Sequence, residues 1–215
     1  MRRRLWSLLC ACAAVCLPAV LDRIVVTVGR RAITESDLVK EIRLSSFLNQ
    51  TEPDYSDQSR KAAAKRLIDR ALIAAEMQAG RYLNPDPEEV RPALESLRKN
   101  RSQGSSSLED ALRKYGLTEE DLWRYLLEQA AVLRFIDLRF GAAVQIAESD
   151  VRDYYLRQFL PEWQNKGKGP APSFEEVRED LERLLRQQRA DLLVEEWLKE
   201  AGSRVRIEFK DDTLR

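Results

Sequence analysis

Two short stretches of this chain carry the residue pattern of a β-strand. They stand near opposite ends of a sequence that otherwise repeats with the period of a helix. The first, residues 24–28, reads Ile-Val-Val-Thr-Val, and its β-branched side chains suit a pleated, half-buried surface. The second is residues 205–209, where Val205, Ile207 and Phe209 alternate with charged residues. A lone strand leaves main-chain amides and carbonyls unpaired, so each stretch is the natural partner of the other. Pairing them draws both ends of the chain together around whatever lies between. The expectation is a mainly α fold with a long C-terminal helix and a small two-stranded clasp.

Between the strands, apolar residues recur at helical spacing. After the turn marked by Gly29, Thr34 or Ser36 can cap a helix carrying Leu38, Ile42, Leu44 and Phe47. A loop with Pro53 follows, then a helix over 57–81 with Ala64, Leu67, Ile68, Ala71, Leu72, Ala75 and Met77 on its apolar side. Asn84-Pro85-Asp86-Pro87 stops it. A polar helix over 88–100 leads into the serine-rich link 102–107. Ser107 with Asp110, and Thr118 with Asp121, then open two more helices. Ser149 and Asp150 cap a further short helix. Ser173 with Glu176 opens a last one, over 174–201, which spans about 40 Å and has Gly202 as its C-cap.

The N-terminus reads as a secretory signal peptide, residues 1–20: Arg2, Arg3 and Arg4, then an apolar run too short to span a bilayer comfortably. Cys10, Cys12 and Cys16 are the only cysteines and all lie within it, so a processed chain has none for a disulfide. The chain also has no histidine, which removes the usual zinc and acid–base constellations; no catalytic, metal or cofactor residues are expected. Charge is balanced, with 36 basic and 36 acidic residues, which speaks against a nucleic-acid partner. Glu119-Glu120-Asp121 and Glu175-Glu176 fall in helical first turns, where acidic charge offsets the dipole. Trp123 and Trp197 read as core.

The order of elements from Asp22 onward resembles periplasmic chaperones of the SurA type. The matching features are the strand-turn-cap at residues 22–38, the Gly80-Arg81-Tyr82 step and the break at residues 84–89. To these are added the turn Lys114-Tyr115-Gly116-Leu117-Thr118, the helix over 122–134, and residues 144–155 with their paired Tyr154 and Tyr155. In that family a parvulin-type prolyl isomerase domain comes next. Here residues 161–172 are only a Pro- and Gly-rich loop, far below the roughly 40 residues a domain needs for a core. Residues 174–209 then resemble the family's C-terminal helix and strand. The resemblance implies a SurA N-domain-like helical domain over 21–143, a helix and loop over 144–173 where the isomerase would be inserted, and a C-terminal helix and strand over 174–215 completing the same core.

It also implies a function: an ATP-independent periplasmic chaperone without isomerase activity, holding unfolded, outer-membrane-type proteins in an apolar groove. The alternatives are a prolyl isomerase-related enzyme and a dedicated adaptor or dimeric scaffold of the cell envelope; long helices and separated terminal strands would allow exchange in a homodimer. Once the signal is cleaved, no stable membrane insertion is expected. Tyr155, Phe159, Leu160 and Trp163 crowd the junction where the isomerase is missing, and are the candidate client-binding residues if they are exposed. Packing against the last helix is the competing reading for them.

Overall fold

A computed structural model of the protein describes residues 22–102, 107–167 and 169–215. The signal peptide expected over residues 1–20 lies outside them, as do residues 103–106 of the serine-rich link. The described chain is mainly helical around a small antiparallel sheet.

The sheet has three strands in the order β2-β1-β3, with β1 (Ile24–Val28) in the centre. Its partner β3 (Ile207–Phe209) is the far end of the chain, in the register Val26 opposite Phe209 and Val28 opposite Ile207. The clasp expected from sequence is therefore present, but it is widened by β2 (Arg31–Thr34), which the sequence reading took for turn and cap. Gly29, with φ 57°, occupies the first central position of the β1–β2 hairpin, where primed turns place glycine. A bulge between Ile24 and Val26 lets consecutive Val25 and Val26 both point inward, each fully buried.

Helix α1 (Glu35–Asn49) starts at a capping box, in which the Thr34 side chain accepts from the Asp37 amide and the Asp37 carboxylate accepts from the Thr34 amide. Then come α2 (Asp57–Ala79), α3 (Arg91–Ser102), α4 (Leu108–Lys114) and α5 (Glu119–Phe140). The 3₁₀ turn Pro87–Val90 runs straight into α3. A helical arm follows, made of α6 (Glu148–Tyr154), a wide turn over Tyr155–Phe159 and α7 (Leu160–Asn165). The wide turn has a local cause. Pro161 has no N–H, and its ring would strike the carbonyl four residues back; the helix opens there, and the Leu160 amide donates to Tyr155 instead. The cap of α6 is at Ala147, whose amide donates to Asp150, and not at Ser149.

The last helix, α8 (Phe174–Arg204), is 31 residues long, about 46 Å, and runs through Gly202 without ending there. A Cβ at Gly202 would stand 3.8 Å from both Leu72 and Ile207, so this glycine serves close approach of α2 and β3. Three cores join these parts. The sheet, α1 and α2 enclose Val25, Val26, Leu38, Ile42, Ile68 and Leu72, with Leu214 of the C-terminal 3₁₀ turn Asp212–Leu214 among them. Leu44 and Phe47 pack with Leu94, Leu112 and Leu122 from α3, α4 and α5. Ile73, Met77, Phe135, Phe140 and Val194 join α2, α5 and α8. Ion pairs lock the ends: Arg60 reaches Glu35 at 2.6 Å and Asp211 at 3.3 Å, and Arg23 bridges the same two carboxylates.

Candidate functional site

Helices α2 and α5 do not close over their whole length. Along their seam run three cavities of about 110, 80 and 620 Å³ that share lining residues and so form one groove. Arg31, Arg70 and Glu128 belong to both the first and the second; Ala74, Met77, Glu128 and Ala131 belong to both the second and the third. The seam stays open because Ala74 and Ala131 present only methyl groups to it. Besides Arg31, Arg70 and Glu128, its middle is lined by the apolar Ile73, Met77, Ala131 and Val132. Ile73 and Met77 are themselves anchored from behind by Phe135 and Val194, so α8 supports the floor. At the wide end stand Tyr82, Pro85 and Leu127.

Tyr82 is held there by an unusual helix end. Gly80 leaves room for its ring: a Cβ at that position would lie 2.5 Å from Tyr82 Cε2. Arg81 takes the left-handed conformation (φ 54°), turning the chain so that the Tyr82 amide donates to the Met77 carbonyl. The ring then meets Phe135 edge-on at 5.7 Å.

The narrow end is polar. Glu41 lies on the inner face of α1 at 2 % exposure, between Leu38 and Ile42. A buried carboxylate must be paired. Arg66 Nε donates to it at 2.6 Å and Arg70 Nη2 donates to its other oxygen, both from one face of α2. The Arg70 guanidinium also faces the Tyr125 ring at 5.5 Å. Its Nε is the only buried side-chain nitrogen or oxygen among the described residues without a hydrogen-bond partner; Glu128 Oε2 stands 3.9 Å away. Burial, with the Glu41 charge adding to it, raises the pKa of the Tyr125 phenol. Nearby, Lys40 pairs with Asp121 at 2.7 Å. Burial opposes ionisation of Asp121, but the Lys40 ammonium and the Thr118 hydroxyl and amide outweigh it and lower its pKa to about 2.

The residues picked out by sequence lie elsewhere, on the helical arm. Tyr155, Phe159 and Trp163 form a ladder of rings with centroid steps of 5.7 and 5.6 Å. Tyr155 also meets Phe174 edge-on at 5.5 Å. With Val151, Phe174 and Leu181, Tyr155 and Phe159 build a satellite core against the start of α8. Leu160, half-buried, opens α7 beside them. All four are half-buried, and Tyr155 and Phe159 pack against the last helix. Sequence reasoning expected an apolar groove but did not locate its residues. Its one local signal was Glu41, a charged residue on an otherwise apolar helix face, with two arginines four residues apart on the next helix to receive it.

The acidic clusters work as helix caps: Asp121 and Glu176 accept from Thr118 and Ser173. Among the described residues, no group of three or more His, Cys, Asp or Glu side chains is placed to hold a metal, and no helix is long and apolar enough to cross a membrane. No protein-family model matches the chain, and no curated protein matches it.

Proposed function

We propose that this protein is an ATP-independent chaperone of the cell envelope that holds extended segments of unfolded exported proteins in the groove between α2 and α5, without prolyl isomerase chemistry. The observation that carries this reading is the groove itself, with its apolar floor, charged narrow end and open wide end. From Arg70 to Arg81 it follows α2 for about 16 Å, the length of about five extended residues. Apolar contact framed by charged groups makes few sequence-specific demands on a client, so binding is tolerant of sequence and reversible without an energy source. The resemblance to SurA-type chaperones supports the same client class.

The test is light scattering of a urea-denatured outer-membrane protein diluted into buffer with a near-stoichiometric amount of the protein. Suppressed aggregation is the expected result, abolished by Ala74→Glu, a change at an exposed groove position that leaves the melting temperature in place. Failure to protect any unfolded client would sink the proposal. Acceleration of prolyl isomerisation in a peptide substrate would overturn its non-enzymatic part.

A further inference from the structure

The sheet order β2-β1-β3 gives β3 a strand on one side only, so its other side is a sheet edge. The Gly29 amide donates to the Arg206 carbonyl at 2.9 Å, and the Lys210 amide donates to the Val25 carbonyl at 2.8 Å. The even-numbered residues of this stretch therefore bond inward to β1, and Val205, Ile207 and Phe209 turn their amides and carbonyls outward. We propose that this edge pairs, antiparallel, with the same edge of a second copy of the chain, joining the two sheets into one in a two-fold homodimer.

The stretch Val205-Arg206-Ile207-Glu208-Phe209 is self-complementary about its centre. Val205 is extended (φ −110°, ψ 136°) and continues the line of β3. With Ile207 set opposite Ile207 of the second copy, Val205 falls opposite its Phe209, and each such pair exchanges two main-chain hydrogen bonds. Arg206 then stands opposite Glu208 of the second copy, and Glu208 opposite its Arg206. These are the non-hydrogen-bonded pairs, in which side chains come closest. A register centred on residue 208 would set Glu208 against Glu208 and Arg206 against Lys210; one centred on residue 206 would set Arg206 against Arg206. Both bring like charges together, so charge selects the register centred on Ile207.

The edge suits such a partner. Val205, Ile207 and Phe209 pack on the core beneath the sheet, while Glu208 lies on the other face opposite Thr27, within reach of Arg206 and of Lys210 at 2.7 Å. The Arg206 side chain is 85 % exposed and can turn to a second carboxylate. No proline or bulge, the usual guards of an edge, interrupts β3. Arg215 Nη2 reaches the outward Phe209 carbonyl at 3.5 Å, a contact long enough for a strand amide to displace. Pairing along so short an edge buries less than a stable interface needs, so the dimer is a weak one, with a Kd of about 10 µM to 1 mM.

The experiment is sedimentation equilibrium of the purified protein at low salt, over a concentration series reaching about 1 mM. The parent is expected to show a monomer–dimer equilibrium. Arg206→Glu sets acid against acid across the two-fold axis and Glu208→Arg sets base against base, so each variant alone should associate about tenfold more weakly. An equimolar mixture of the two variants restores both opposite-charge pairs and should associate as the parent does. A parent that stays monomeric throughout, single variants that dimerise as well as the parent, or a mixture that fails to recover association overturns the proposal. A second measurement needs no variant: hydrogen exchange at the Ile207 and Phe209 amides should slow as the parent is concentrated, while the Lys210 amide, already bonded to β1, stays equally protected. Exchange at Ile207 and Phe209 that is independent of concentration overturns the proposal as well.

Discussion

Chain ends usually fray, yet Leu214, the penultimate residue, is 4 % exposed and sits in the core formed by the sheet, α1 and α2. Three devices put it there. β3 pairs with the central strand, and the Lys210 amide donates to the Val25 carbonyl at 2.8 Å. Asp211 then caps the final turn through the Thr213 amide and hydroxyl, while its carboxylate is held by Arg23 and Arg60. Truncating a buried leucine to alanine costs about 2–5 kcal/mol, and a chain end can partly collapse into the space, so Leu214→Ala should lie near 2–3 kcal/mol. For a protein of this size each kcal/mol moves the melting midpoint by about 2–4 °C, giving a fall of about 4–12 °C. Circular dichroism on heating measures it, with the exposed Arg215→Ala as a control worth about 0.5 kcal/mol at most. Deleting residues 204–215 should cost more, since strand pairing and the Asp211 ion pairs go as well. If Leu214→Ala melts within 1 °C of the parent, the C-terminus is not part of this core, and the claim that the two chain ends form one unit is wrong.

Other parts of the structure give further expectations. Glu41→Ala strands two arginines and should lower the unfolding free energy by about 3 kcal/mol in urea; Arg66, which is well exposed, should matter far less, and equal costs would contradict the buried pairing. Asp121 has its pKa lowered from 3.8 to about 2, so its ionised form stabilises the fold fully above the higher value, and that contribution is lost as pH falls through the lower one. Lys40→Ala should therefore raise the Asp121 pKa in an NMR titration and cost more stability at pH 7 than at pH 2; a cost independent of pH would refute the linkage. Arg81→Gly should relieve the left-handed backbone and add about 1 kcal/mol of stability, whereas Gly80→Ala should lower it by pushing the Tyr82 ring, both read from denaturant midpoints.

The readable parts of the fold are those whose causes are local. The caps at Thr34, Ser107, Thr118 and Ser173 needed only a hydroxyl and a carboxylate three residues on, and each opens a helix where expected. The terminal strands were legible because their β-branched and alternating apolar residues stand out from the helical spacing of the rest of the chain. β2 was not, because Arg-Ala-Ile-Thr is short and half polar and becomes a strand only by adding to β1. Gly202 misled for the same kind of reason: a glycine near a helix end reads as a stop, but its role is set by Leu72 and Ile207 from distant parts of the chain. The groove is the strongest case. Helical periodicity marks Ile73, Met77 and Val132 as apolar, but whether two helices meet or leave a channel depends on which small residues face each other across the seam. Ala74 and Ala131 face each other only in three dimensions.

The most direct test of the account is site-specific photo-crosslinking. A benzophenone amino acid placed at Ala74 or Leu127, on the groove, and at Lys61 or Glu195, away from it, is irradiated with an unfolded outer-membrane protein and then with the same protein after folding. The account requires adducts from the groove positions with the unfolded client only, and little or none from the other two. Equal yields at all four positions, or adducts confined to Lys61 and Glu195, would contradict it.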